Sequence, residues 1–280
     1  MNNTELTGGS GSPLLQTGFT LAELAISMVV ISLFLGALLG PISRQVDQSR
    51  VNATQRQLED IKDALLGHAT INLQLPCPDV DGDGVEDRVL GPNPPNLTAG
   101  LCTSLIGGLP WATLNVAEAD AWNTRFLYRV SNQFSVAATT SPMPTGYSGL
   151  SFATATSGSI VINQRNSNKA TSALASGPGA NPPGVAALVL SFGKNAYGGN
   201  MAGGAARPGP PAVNADETSN TNANAGTAAA TPFIVRSPKD SDSPCSDTAA
   251  GSPMCEYDDQ MIWLSANTLF NRLVAAGRMP

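Results

Sequence analysis

The stretch from Gly18 to Gly40 reads GFTLAELAISMVVISLFLGALLG, and the rest of the chain is organised around it. Its only charged residue is Glu23. As an α-helix rising ~1.5 Å per residue, residues 19–40 would reach ~33 Å, enough to cross a hydrocarbon core ~30 Å thick. The sequence therefore predicts a transmembrane helix over residues 19–42. A lone carboxylate near the start of such a helix needs a partner.

A family resemblance supplies that partner. Gly18, Phe19 and the TLAE tetrapeptide after them resemble the cleavage site of type IV pilins and type II secretion pseudopilins. The resemblance implies that a prepilin peptidase/methyltransferase removes residues 1–18 as a leader peptide and methylates the new amine of Phe19. Glu23 would then lie one helical turn from an α-ammonium group, in its own chain or in a neighbouring subunit.

The implied function is that of a structural subunit, not an enzyme. The subunit would assemble through its N-terminal helix into an inner-membrane-assembled filament, either a type IV pilus or a type II secretion pseudopilus. Its expected partners are other pilin or pseudopilin subunits, the prepilin peptidase/methyltransferase and the inner membrane. The alternative is a membrane-anchored minor pilin that acts as an adhesin or a substrate-binding tip protein.

Three further residues of the helix fit assembly. Gly36 and Gly40 form a GxxxG pair, a spacing that permits close approach of two helices. Pro41 cannot donate its amide to the helix ladder and should loosen or kink the helix. The sequence then predicts an amphipathic continuation over residues 43–74, because apolar residues recur there at spacings of three and four.

Two other interpretations of the N-terminal stretch remain open. An ordinary secretory signal has a basic n-region and a shorter apolar core, whereas the leader here contains no Lys or Arg. A plain single-span anchor explains the apolar run but not the Gly-Phe-Thr-Leu-x-Glu pattern. The leader also departs from the family, because family leaders usually carry a basic residue and this one carries Glu5.

Composition excludes several function classes. The chain has 280 residues and a formal net charge of −6, so no basic surface for nucleic acid is expected. His68 is the only histidine, and no GxSxG motif accompanies it. A Ser-His-Asp catalytic site is therefore not expected.

The four cysteines predict disulfide bonds and, with them, an oxidising compartment. Cys77, Cys102, Cys245 and Cys255 form an even set without CxxC spacing, which favours disulfides in an oxidising compartment over a zinc site. Free buried thiols are the alternative. Three connectivities are possible, of which the pairing of sequence neighbours, 77 with 102 and 245 with 255, is favoured.

Two features of the sequence disagree on which side of the membrane the C-terminal domain lies. Arg44, Arg50 and Arg56 follow the apolar run, so the positive-inside rule would place the domain in the cytoplasm. The cysteines and the family resemblance indicate the opposite. The prediction is a single-pass protein of the bacterial inner membrane with a periplasmic C-terminal domain, which is extracellular if assembled into a pilus.

Residues 75–280 predict a pilin-like globular domain. The segment from Asp120 to Val130 resembles the Asp-x-Trp-Gly turn and strand of pseudopilins, with Asn123 in place of the glycine. Further strands are predicted at 159–163, 186–192, 233–236 and 261–264, and a short helix at 267–278. Residues 194–231 are poor in large apolar side chains, so the sequence predicts a flexible loop there. The predicted fold is α+β: a long N-terminal helix, membrane-spanning in its first half, packed on a small antiparallel sheet, with long irregular loops.

An acidic loop after Cys77 is a candidate calcium site. Its expected ligands are the alternating carboxylates and one carbonyl of Asp79, Asp81, Asp83, Val85 and Asp87. Alternating oxygens allow one chain to wrap a hard cation, and Gly84 permits the sharp turn. Leu90 stands where an EF-hand has a bidentate Glu, so a solvated acidic turn without Ca²⁺ is the alternative.

Overall fold

The computed structural model describes residues 20–89, 100–136, 158–222, 232–240 and 244–278, and in the first helix it does not describe the side chains of residues 37–42. The chain divides into two compact units, Met1–Gln48 and Ser49–Pro280. The first unit contains the start of helix α1 (Leu21–Asn72), and the second contains the end of α1, two sheets and three short helices.

The start of α1 is apolar and exposed, but it does not meet the requirement for a membrane span. Within the described residues, no helix combines the length and the apolar character that crossing a bilayer requires. The predictions of a membrane-spanning first half and of a single-pass inner-membrane location were therefore wrong.

The second part of α1 packs one face against the domain. Leu58, Ile61 and Leu65 are buried, while charged residues between them, such as Glu59 and Asp63, are exposed. This spacing of three and four places the apolar side chains on one side of the helix. Residues 49–72 thus belong to the core of the second unit.

A four-stranded antiparallel sheet lies under this helix. Its strands in spatial order are β1 (Ile106–Gly108), β2 (Leu127–Val130), β5 (Ala187–Ser191) and β7 (Gln260–Leu264). Every residue of β5 is buried. Alternation explains this, because Ala187 and Val189 join the core with α1 while Leu188 and Leu190 join a second core on the opposite face.

The second core is covered by another sheet of three strands. These are β4 (Thr171–Ala175), β3 (Ile162–Arg165) and β6 (Phe233–Val235), in that spatial order. Strand β3 pairs antiparallel with β4 but parallel with β6. The prediction of one small antiparallel sheet was therefore wrong: the domain is α+β with two sheets, one of them mixed. The first sheet has apolar side chains on both of its faces. Helix α1 covers one face, so a second layer is needed to bury the other, and the three-stranded sheet is that layer.

Three short helices complete the described domain: α2 (Trp111–Leu114), α3 (Ala215–Asn222) and α4 (Ala266–Ala275). Helix α4 confirms the predicted C-terminal amphipathic helix. Ser265 caps it by accepting the Thr268 N–H at 3.2 Å, and Leu269 and Leu273 are buried. Helix α3 lies inside the segment predicted as a flexible loop; residues 223–231 of that segment lie outside the described part of the chain.

The structure contains two disulfides, Cys77–Cys102 and Cys245–Cys255. This is the connectivity favoured from the sequence, and no cysteine is free. The first bridge fixes the acidic loop beside the first sheet, and the second closes a short loop before β7.

Candidate functional site

The acidic loop is anchored to the edge of the first sheet. Asp79 and Gly108 exchange two backbone hydrogen bonds, of 2.9 and 2.7 Å. The Asp79 carboxylate is 4% exposed and accepts the N–H groups of Gly82 and Gly84 at 2.6 and 2.9 Å. Gly84 has a φ of +85°, and a Cβ there would lie 2.3 Å from the Trp111 ring. Only glycine fits this turn without displacement of its neighbours.

The structure brings three of the five predicted ligands together. Asp79, Asp81 and Asp87 each offer a carboxylate oxygen, and the three oxygens lie within 4.8 Å of one another. Asp87 also accepts the Val80 N–H at 2.6 Å. Asp83 is outside this group; its carboxylate accepts the Val85 N–H at 2.7 Å. Leu90 lies outside the described residues.

A second acidic group forms where α3 meets the segment before β7. Glu217, Asp258 and Asp259 have carboxylate oxygens within 4.8 Å of one another, and Glu217 is only 1% exposed. Glu217 accepts hydrogen bonds from the side-chain amides of Asn195 and Asn214 at 2.9 and 2.8 Å. All of these partners are neutral.

Burial changes the protonation of this second group. It raises the pKa of Glu217 to about 7 and that of Asp258 to about 6, and it raises the pKa of Asp259 well above its usual range. The Asp258 Oδ1 atom is buried and has no hydrogen-bond partner. Removal from water disfavours ionised carboxylates, and each neighbouring carboxylate adds to that effect.

Both acidic groups could hold a metal ion, because each places three carboxylates within reach of one cation. They were not equally visible in the sequence. The alternating aspartates of the first group are a local pattern. Only the Asp258-Asp259 pair hinted at the second group, since Glu217 is some 40 residues away and its role depends on the packing of α3.

The structure gives Glu23 a local partner that the sequence analysis missed. Glu23 Oε2 accepts the backbone N–H of Thr20 at 3.0 Å, and the Thr20 Oγ1 accepts the Glu23 N–H at 3.2 Å. This reciprocal pattern is a capping box at the start of α1. The spacing Thr-x-x-Glu before an apolar run was the available signal.

The remaining predicted assembly and processing residues are only partly described. Gly18 and Phe19 lie outside the described residues. A Cβ at Gly36 would meet no atom within 4 Å, so another chain could approach this position closely. Gly40 and Pro41 lie within α1, but their surroundings fall in the part that the structure does not describe.

Two other predicted features have structural roles. His68 Nδ1 lies 3.1 Å from the Gln74 carbonyl oxygen, and burial lowers its pKa. Asp120 accepts the N–H groups of Trp122 and Thr124 at 2.9 Å each, which closes the turn before β2. Asn123 in that turn has a φ of 66°, as expected for a residue in a glycine position.

No protein-family model, characterised protein or solved structure matches this chain.

Proposed function

We propose that this protein is a structural subunit of a type IV pilus or a type II secretion pseudopilus, which assembles with other copies or related subunits through the start of α1. The proposal rests first on the Gly-Phe-Thr-Leu-Ala-Glu sequence at residues 18–23. Removal of residues 1–18 would place a new amine directly before the helix.

The observation that carries the proposal is the exposed apolar surface of α1. Between Leu21 and Gly36, ten large apolar side chains are exposed: Leu21, Leu24, Ile26, Met28, Val29, Val30, Ile31, Leu33, Phe34 and Leu35. Burial of each against a partner would contribute ~1.5–3 kcal/mol relative to full exposure. An exposed apolar patch of this extent marks an interaction surface, and the open space at Gly36 suits a neighbouring helix.

Processing is tested by intact-mass measurement of the chain co-expressed with a prepilin peptidase. We expect a mature chain that begins at a methylated Phe19. Gly18→Leu is the matched control, because a bulky residue before the cut should block cleavage. A chain that keeps residues 1–18 in the presence of an active peptidase would contradict the proposed function.

Assembly is tested with two substitutions of Glu23. Glu23→Gln removes the charge, while glutamine still accepts the Thr20 N–H and so keeps the capping box. Glu23→Ala removes both. If the carboxylate pairs with the terminal amine of a neighbouring subunit, both variants should be lost from filaments. Normal incorporation of Glu23→Gln with loss of Glu23→Ala would restrict Glu23 to capping its own helix.

We propose further that the acidic loop binds Ca²⁺ through Asp79, Asp81 and Asp87. Three close carboxylates suit a hard cation that prefers oxygen ligands. Glu86 is not available, since it pairs with Arg88 at 2.9 Å. Millimolar Ca²⁺ should raise the melting temperature of the folded chain, because a ligand that binds only the folded state stabilises it.

Asp81→Asn should abolish that calcium effect. Asp63→Asn, at an exposed position of α1 outside both acidic groups, is the matched control and should keep it. A chain whose melting is indifferent to Ca²⁺ and to chelator would leave the loop as an acidic turn. A Ca²⁺ effect that survives Asp81→Asn but not Glu217→Gln would move the cation to the second acidic group.

A further inference from the structure

Four charged residues meet beside α3, three of them buried and Arg165 partly buried, and we call them the charge cluster: Arg165, Asp216, Arg236 and Asp247. Asp216 pairs with Arg165 at 2.6 Å and with Arg236 at 2.9 Å. Arg236 also pairs with Asp247 at 3.2 Å. Two cations and two anions balance, so the cluster is neutral as long as all four members stay in place.

The disulfide loop between Cys245 and Cys255 supplies one of these four charges. Asp247 is fully buried; its Oδ1 accepts the Cys255 N–H at 3.0 Å, and its Oδ2 accepts the Asp216 N–H at 3.2 Å. Arg236 Nη2 also donates to the Cys255 carbonyl oxygen at 3.0 Å. The loop therefore holds the counter-charge of Arg236 and an acceptor for the first turn of α3.

Helix α3 depends on such polar contacts. Its sequence, ADETSNTN, contains no large apolar side chain. A helix of 8 residues is too short to be stable by itself in water, and this one cannot be held by an apolar face. Its other main attachments are Glu217, which accepts from Asn195 and Asn214, and Asn220, which is bonded to Ile234 of β6 and to Asp259. Loss of the contacts at Asp216 would leave α3 held by Glu217 and by Asn220 alone among these attachments.

The two disulfides differ in accessibility. Cys77 and Cys102 are both buried. Cys255 is buried as well, but Cys245 is half-buried, so only the second bridge includes a cysteine that is partly open to solvent. Thiol–disulfide exchange requires that a thiolate reach one of the two sulfur atoms. The solvent accessibility of the sulfur atoms therefore controls which disulfide is reduced first.

We propose that the Cys245–Cys255 disulfide is a redox-sensitive clasp, whose reduction by a dithiol releases Asp247 from the charge cluster and loosens α3. A thiolate of the dithiol attacks the Cys245 sulfur, the S–S bond breaks, and Cys255 leaves as a thiolate that takes a proton from water. The second thiol of the reductant then attacks the mixed disulfide and releases Cys245 as a thiol. The dithiol ends as its own disulfide, so two electrons pass to the protein.

The loosening follows from charge and chain entropy. Opening the bridge removes the closure of a loop of about ten residues, whose ends then regain conformational freedom. When Asp247 departs, Arg165 and Arg236 share the single carboxylate of Asp216. Since an uncompensated buried charge is strongly destabilising, the cluster opens toward water, and α3 loses the contacts of its first turn.

The clasp is tested on the full chain by titration with dithiothreitol, alkylation of free thiols and peptide mapping. We expect Cys245 and Cys255 to be alkylated at about tenfold lower dithiol concentration than Cys77 and Cys102. Hydrogen exchange of residues 215–222 should speed up over the same range, while that of β5 should stay slow. Earlier opening of Cys77–Cys102 would overturn the proposal, as would opening of Cys245–Cys255 without faster exchange in α3.

Two variants distinguish a specific effect of the Cys245–Cys255 disulfide on α3 from a general loss of stability. Asp247→Asn keeps the disulfide but removes the charge, and it should speed exchange in α3 without any reductant. The Cys77→Ser, Cys102→Ser pair removes the other bridge and should leave exchange in α3 unchanged. Slow exchange in α3 of oxidised Asp247→Asn would show that Asp247 does not link the disulfide to the helix.

Discussion

The two acidic groups have similar ligand geometry and different surroundings. Each places three carboxylates within 4.8 Å. In the loop group Asp81 is exposed and Asp87 half-buried, and water and salt screen their repulsion. In the α3 group Glu217 and Asp259 are buried among neutral amides, so repulsion and desolvation act together. Burial, rather than the number of carboxylates, decides which group must take up a proton or a cation.

The largest expected effect is a pH dependence that comes from the α3 group. The pKa of Glu217 is about 7 in the folded chain, above its value of 4.5 in the unfolded chain. The stabilisation is therefore complete below pH 4.5 and is lost as the pH rises through about 7. Each pKa unit corresponds to ~1.36 kcal/mol, so the loss for Glu217 is roughly 3 kcal/mol. Denaturant unfolding at pH 5 and pH 8 measures it.

Glu217→Gln should reduce that pH dependence, because one of the three carboxyl groups with a raised pKa is removed. Asp258 and Asp259, whose pKa values are also raised by burial, remain in this variant, as do the neighbouring charges of Lys194, Arg236 and Glu256. Asp63→Asn should leave the pH dependence as it is. Equal stability of the natural chain at pH 5 and pH 8, without added metal, would contradict the claim that burial distinguishes the α3 group from the loop group.

A smaller effect is expected from Gly84→Ala, which tests whether the loop group needs its tight turn. The alanine must adopt a φ near +85° and its Cβ would overlap the Trp111 ring. We expect a loss of about 2 kcal/mol in the free energy of unfolding. Gly100→Ala is the matched control: its φ is +90°, but a Cβ there meets no atom within 4 Å. Equal losses for the two variants would mean that contact with Trp111 is unimportant.

The smallest effects compare two aspartates within the loop. Asp79→Asn replaces one of two buried oxygens that accept N–H groups, so one glycine amide loses its partner, at a cost of ~1–2 kcal/mol. Asp83→Asn alters an exposed side chain and should change stability by less than ~0.5 kcal/mol. Thermal unfolding measures both. A larger loss of stability for Asp83→Asn than for Asp79→Asn would show that burial of a carboxylate does not determine its contribution to the stability of this loop.

Predictions from the sequence succeeded where the signal was local. The disulfide pairing of neighbouring cysteines, the strand around Leu188, helix α4 and the positive φ of Asn123 each follow from a short stretch of chain. The capping role of Glu23 is equally local and was missed, because the apolar run after it suggested a partner elsewhere. The predicted membrane span was wrong, because no helix among the described residues is both long and apolar enough to cross a bilayer.

By itself, the sequence determined the α+β class, the acidic loop and the cysteine pairs, because periodicity, turn residues and short loops act between near neighbours. Only the tertiary structure decided the parallel pairing of β3 with β6, the meeting of Glu217 with Asp258 and Asp259, and the pairing of Asp247 with the buried Arg236. These contacts join residues far apart in the chain. Their energies depend on burial, which no single stretch of sequence specifies, and burial arises only when the two sheets and α3 have packed together.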